Sequence, residues 1–185
     1  NLIETGLFHR FDATNILKEN LASVVTSIGL DHLDWLPKNE RTVEKIIFEK
    51  TSTLLNSNII VAKQSTNKIS DEIKNTISKI TSQKLFFNKD FNYSLSENNF
   101  FYYEDKIGGL KLPLPNVNGQ FQLENVSTAI ATLRSIKKIE IKEEHIKSGI
   151  IKIQSIARLQ EITKGKLKNL VKDNRLLVDV FFFNF

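Results

Sequence analysis

The sequence predicts an α/β protein: a mostly parallel sheet flanked by helices, with a β-hairpin inserted beside it. Three observations carry that expectation. Leu21–Gly29, rich in valine and threonine, and Asn58–Ala62 are compact apolar runs of the kind found in strands buried on both faces. Apolar residues at helical spacing fill the segments between such runs. The connections are short, and the order strand, helix, strand, helix, strand is that of a parallel sheet.

In chain order, Leu2–Thr5 reads as the end of a strand already running when the sequence opens. After the polar segment Asp12–Asn20 comes the strand Leu21–Gly29, closed by Gly29. Glu40–Leu55 spaces Val43, Ile46, Ile47, Leu54 and Leu55 among charges as a helix does. Asn58–Ala62 is the next strand. Ser70–Ile80 is an amphipathic helix with Ile73, Ile77 and Ile80 on one face, and Lys84–Phe87 returns as a strand. Phe91–Asp105 holds two aromatic runs around Ser96–Asn99, the pattern of a hairpin. Leu110–Leu114 leads through Pro113 and Pro115 into the turn cluster Asn116–Gly119. Gln122–Ile136 is expected as a helix with Leu123, Val126, Ile130 and Leu133 facing inward. A helix over Lys142–Ile153 comes next, and then a strand over Arg175–Val180.

The 185 residues are 41% hydrophobic and 25% charged, enough apolar content for the core of one domain or slightly more. The 26 basic residues are mostly lysines scattered beside acids. The net charge of +5 therefore reads as a solvated surface, and no nucleic-acid partner is expected. There are no cysteines, which excludes disulfides, thiolate zinc sites and cysteine nucleophiles. No apolar run approaches the roughly 20 residues of a membrane-spanning helix, and no secretory leader opens the sequence. A cytoplasmic protein without a membrane partner is the expectation.

Ligands of parallel sheets gather at the carboxyl ends of the strands. Glu4, His32 and Lys50 stand at or near such ends, His32 beside Asp31 just after Gly29. A carboxylate and an imidazole there could share one magnesium ion whose remaining ligands are phosphate oxygens and water. They could equally be a cap and a loop hydrogen bond, and Lys50 a helix-surface lysine. His9 and His145 read as surface residues. A serine hydrolase is excluded by the lack of G-x-S-x-G, and no G-x-x-x-x-G-K-[ST] phosphate loop occurs. Gly108–Gly109 reads as a flexible turn and Phe100–Tyr103 as a core-facing strand.

Several motifs in fixed order carry a resemblance. Glu4-Thr5-Gly6-Leu7 and Arg10-Phe11-Asp12-Ala13-Thr14-Asn15 resemble the E-x-G-L-G-G-R-L-D-A-T-N signature of the folylpolyglutamate synthase/dihydrofolate synthase family, which is Mur-ligase-like. Ser27-Ile28-Gly29-Leu30-Asp31-His32 with Trp35-Leu36 resembles its S-I-x-x-D-H segment, and Ile46-Ile47-Phe48-Glu49-Lys50 its I-A-x-E-K segment. Leu112–Asn116 through Gly119, Gln122 and Asn125 is similar to L-x-G-x-H-Q-x-x-N-A. Ala157-Arg158-Leu159-Gln160 and Leu176–Asp179 match two later runs.

The resemblance implies an ATP-dependent ligase that activates a folate or dihydropteroate carboxylate as an acyl phosphate and joins it to the amine of L-glutamate. Glu4 and His32 would hold Mg²⁺, and Lys50 would be a carbamylated lysine. Asn125, Arg158 and Asp179 would contact ATP. The domain expectation is residues 1–174 as an incomplete central ATP-binding domain lacking its phosphate loop, and 175–185 as an aberrant start of a C-terminal ligase domain. Separate chains could supply both missing parts; otherwise a monomer is expected. Departures from the pattern are Phe8-His9 for Gly-Gly, Phe121 for histidine, Ser155-Ile156 for Trp-Pro, and Val180–Phe185 in place of the Gly-Ala-His-Asn-Pro run. These leave three readings: a split ligase, a truncated inactive product, and a non-catalytic folate- or nucleotide-binding remnant.

Overall fold

The structure, a computed structural model, describes residues 1–96, 99–154, 160–171, 174 and 177–178. Strands β1 (Ala22–Val25), β2 (Asn58–Val61) and β3 (Lys84–Phe86) form a parallel sheet in that order. Val24 lies opposite Ile60, and Ile60 opposite Leu85. Helices α1 (Val43–Thr51) and α2 (Asn67–Thr76) are the crossovers. Each begins on a threonine, Thr42 or Thr66, whose hydroxyl accepts from the backbone N–H three residues on.

The central strand explains why Asn58–Ala62 reads as continuously apolar. Side chains alternate between faces along a strand. Ile59 and Val61 enter a core with Ile46, Ile47, Ile73 and Ile77 of α1, α2 and the turn after α2. Ile60 enters a separate core on the other face. Both faces of β2 are therefore covered, and Ile59 and Ile60 have no exposed surface.

The second core joins the sheet to an antiparallel meander and two further helices. β4 (Phe91–Leu95), β5 (Phe100–Asp105) and β6 (Gly108–Pro113) pair in sequence. α3 (Gln120–Ser135) and α4 (Glu143–Ile151) pack on them, so Phe101, Tyr103 and Leu112 meet Leu123, Val126, Ile130 and Ile146. The expected hairpin thus gains a third strand. Phe100–Tyr103 splits by alternation, with Phe101 and Tyr103 buried and Phe100 and Tyr102 turned outward. Gly108–Gly109 opens β6 and is not a free turn. β7 (Gln160–Glu161) pairs antiparallel with β8 (Leu177–Val178), the described part of the expected last strand, and α5 (Lys166–Val171) lies between them in sequence.

Four expectations need correction. Leu2–Thr5 is not a strand, since it finds no hydrogen-bonding neighbour among the described residues, and Leu2 is 99% exposed. β1 is not buried on both faces, because Val24 remains 44% exposed. Leu54 and Leu55 fall beyond α1, and Ile80 lies in the turn after α2. Leu133 faces outward enough to stay partly exposed. Among the described residues, no helix is long and apolar enough to cross a membrane.

Candidate active site

The segment Gly6–Ile16 holds a fixed shape through its own polar side chains. Asp12 Oδ1 accepts from the Thr14 amide at 2.8 Å and hydroxyl at 2.6 Å, capping the 3-10 turn Ala13–Ile16. Its other oxygen accepts from the Gly6 amide at 2.9 Å. The bonds from Thr14 and Gly6 pull the Asp12 carboxyl below the usual range. Asn15 donates to the carbonyls of His9 and Arg10, closing the loop from inside.

One ion pair clamps this loop to α1. Arg10 Nε lies 2.7 Å from Glu49 Oε2, and the Arg10 amide donates to the Glu49 carbonyl at 2.9 Å. Glu49 is buried and takes a second cation, Lys45, at 3.3 Å. The guanidinium also lies over the Phe11 and Phe48 rings.

The clamp delivers Lys50, the next residue, to the loop. Lys50 Nζ donates to the Leu7 carbonyl at 3.2 Å and lies 5.7 Å from the centre of the Phe8 ring. Burial pushes its ammonium below the ordinary lysine value, partly opposed by the charge of Asp31. The Phe8 ring meets His32 edge-on, with centroids 6.2 Å apart. His32 adopts a left-handed backbone (φ 57°) that caps the turn Leu33–Trp35, and its Nε2 lies 3.1 Å from Asp31 Oδ2. The Phe8 ring thus meets both the Lys50 amine and the His32 imidazole, and Asp31 pairs with His32. Phe8, which stands where the resembled pattern has glycine, is the packing centre of that group.

The other expected residues are placed less closely. Glu4 is exposed and forms no hydrogen bond or ion pair among the described residues, so its carboxylate is available to a cation. Asn125 is exposed on α3. The preceding Glu124 takes Lys63 Nζ at 2.7 Å, which ties the start of α3 to the carboxyl end of β2. Among the described residues, no contact joins Glu4 or Asn125 to His32 or Lys50. Arg158 and Asp179 lie outside the described residues. His9 is half-buried, its Nδ1 2.9 Å from Thr53 Oγ1.

Among the described residues, no three His, Asp or Glu side chains gather into a cage. The carboxylate that lies against His32 is that of Asp31, at 3.1 Å from its Nε2. The Arg10–Glu49 clamp and the Phe8 packing were not evident from the sequence. Partners 39 residues apart leave no spacing pattern, although both charges lie inside the quoted motifs.

The parallel sheet, the antiparallel meander and the motif-bearing loops make up an α/β domain of the class the sequence predicts. Named relatives narrow that class. The chain is 30% identical over 184 residues to the dihydrofolate synthase/folylpolyglutamate synthase of Escherichia coli (strain K12), covering 97% of this chain and 38% of that protein. It is 28% identical over 170 residues to the same-named protein of Haemophilus influenzae, covering 91% of this chain and 36% of that protein. In fold it matches E. coli FolC in complex with DHPP and ADP at a TM-score of 0.76 and 30% identity, covering 96% of this chain and 38% of that one. The Yersinia pestis bifunctional folylpolyglutamate synthase/dihydrofolate synthase complexed with AMPPNP and Mn ion matches at a TM-score of 0.76 and 25% identity, with the same coverage of 96% and 38%. No protein-family model matches the chain. The chain therefore resembles the folylpolyglutamate synthase/dihydrofolate synthase family along nearly its whole length, in sequence and in fold. It spans less than two-fifths of the length of these relatives.

Proposed function

We propose that these residues form the metal- and nucleotide-facing part of an ATP-dependent ligase joining glutamate to a folate or dihydropteroate. The observation that carries this reading is the convergence of Lys50, Phe8, His32 and Asp31 beyond β1, held in place by the Arg10–Glu49 clamp.

The reaction needs a better leaving group than carboxylate oxygen. A carboxylate oxygen attacks the γ-phosphorus of ATP, and ADP leaves. The amine of glutamate then attacks the acyl carbon, phosphate leaves, and the amine proton goes to a base or to water. Both partners of the first step are anions, so neutralising charge at the site lowers the barrier. Glu4 and His32 are the residues that would hold Mg²⁺, which when bound supplies that neutralisation. Lys50, desolvated and so inclined to the free amine, would take up CO₂ as a carbamate and offer an oxygen to the same site. Asn125, Arg158 and Asp179 would contact the nucleotide. The grip on the phosphates comes in this reading from residues outside the 185, in this chain or another.

The test is complementation. The chain is mixed with the remaining segments of the E. coli relative, and phosphate release is followed with ATP, folate and glutamate. Release that needs both folate and glutamate, and that is lost in Lys50→Ala, is expected. Its absence from a folded mixture contradicts the reading. A second reading is favoured by the Phe8 ring standing against Lys50: a folate- or nucleotide-binding remnant without turnover. Ligand binding by the mixture with no phosphate release would select it.

A further inference from the structure

A cavity of about 230 Å³ opens at the carboxyl ends of β2 and β3, and none of the residues proposed above lines it. Its wall on α2 is one helical stripe, Asn67, Ser70, Asp71 and Lys74, at the three- and four-residue spacing of a single face. Facing it are Lys63 after β2 and Lys89 after β3.

The cavity is held by fixed neighbours. Gln64 is buried; its Oε1 accepts from the Ile28 amide at 2.9 Å, and its Nε2 donates to the Thr26 and Ala62 carbonyls. The turn that carries Lys89 is pinned by the buried Asp90, which accepts from the Phe86 amide at 2.9 Å and pairs with Lys106 at 2.9 Å. Asn88 takes the left-handed conformation (φ 65°) that aims this turn.

Two of the three cationic groups are not used up internally. Lys63 is paired with Glu124. The ammonium groups of Lys74 and Lys89 form no ion pair or hydrogen bond among the described residues, and the side chains of Asn67 and Ser70 donate to nothing there. With Asp71 and Glu124 counted against the three lysines, the rim keeps one net positive charge and several unused donors. The volume falls below the roughly 300–1,000 Å³ of pockets for drug-sized ligands, so the occupant is small.

We propose that this cavity is a binding site for a small phosphoryl anion, free phosphate or the phosphoryl end of a small metabolite. Lys74 and Lys89 neutralise it, and Asn67 and Ser70 donate to its oxygens. The site stands apart from the ligase reading and does not depend on it.

The test uses the whole chain with inorganic phosphate and, separately, glycerol 3-phosphate, monitored by ¹H–¹⁵N amide shifts. Saturable shifts confined to Asn67, Ser70, Asn88 and Lys89 are expected. Affinity should fall at least about tenfold in Lys74→Gln/Lys89→Gln and weaken with added salt. The control Lys137→Gln/Lys138→Gln removes two exposed charges elsewhere and should bind as the parent does. Lys50→Ala should also bind as the parent, which separates this site from the proposed active site. Tighter binding of glycerol 3-phosphate selects a metabolite, and equal binding selects the free ion. No shift at these amides, or equal weakening by both double variants, overturns the proposal.

Discussion

Arg10 Nε lies 2.7 Å from Glu49 Oε2, and this contact fixes where Lys50 sits. Glu49 is buried, so its charge must be matched. The match comes from a loop whose remaining contacts are mostly internal. Removing Arg10 frees the loop from α1 at the point where Lys50 meets Leu7 and Phe8.

Arg10→Met is therefore expected to lower stability by about 2 kcal/mol, because Lys45 still partly compensates Glu49. Urea unfolding measures this. Limited proteolysis should show new cleavage within Gly6–Ile16. An unchanged midpoint and cleavage pattern would mean the pair is decorative.

Asp105 and Arg134 tie the meander to α3. Their side chains are 11% and 13% exposed, at 2.8 Å, and the Tyr103 hydroxyl donates to the same carboxylate at 2.9 Å. Tyr103→Phe should cost about 1 kcal/mol, and Arg134→Met, which strands a buried carboxylate, about 3 kcal/mol. Burial, together with the Asp105 charge, raises the Tyr103 phenol above its ordinary value. In an alkaline absorbance titration, Tyr103 should ionise only as the chain unfolds.

His9 gives a pH dependence of definite sign. Burial lowers its folded value below 6.5, with Asp12 opposing. The unfolded chain therefore binds the proton more readily in the window between the two values. Stability should fall as pH drops from about 6.5 through the lowered folded value, then level off with respect to this group. His9→Gln should flatten that stretch of the stability curve, and a curve of unchanged slope would refute the assignment.

Gly119 precedes α3 at φ 104°, and a Cβ there would collide with the Phe121 ring. Gly119→Ala should cost about 1–3 kcal/mol. Gly119→Ala/Phe121→Ala should recover the part due to collision and keep the part due to backbone strain. Thermal unfolding of the two variants separates them.

Local pattern made much of the fold legible in advance. The run Asn58–Ala62 reads as a buried strand because Ile59, Ile60 and Val61 are all covered, each face by a different core. The run Phe100–Tyr103 reads as a core-facing strand, but only Phe101 and Tyr103 are buried, because alternation along the strand turns Phe100 and Tyr102 outward. The exposure of Val24 was not legible, since it depends on which element covers a face and not on the run itself. Leu2–Thr5 failed for the same reason, as apolar residues alone do not supply a strand partner. In the candidate site, Glu4, His32 and Lys50 stand out as residues at or near predicted strand ends, and only the resemblance gives them roles. The meeting of His32 and Lys50 around Phe8, and the Arg10–Glu49 pair behind it, are tertiary contacts with no sequence period.

The proposal that Lys50 and His32 form part of a nucleotide and metal site has a direct test. Calorimetric titration with Mg·ATP of the folded chain, mixed with the remaining segments of the E. coli relative that supply the phosphate grip, tests it most directly. Saturable heat from that mixture is expected, weakened at least about tenfold in Lys50→Ala and in His32→Ala. No heat from a demonstrably folded mixture, or equal binding by both variants, would contradict it.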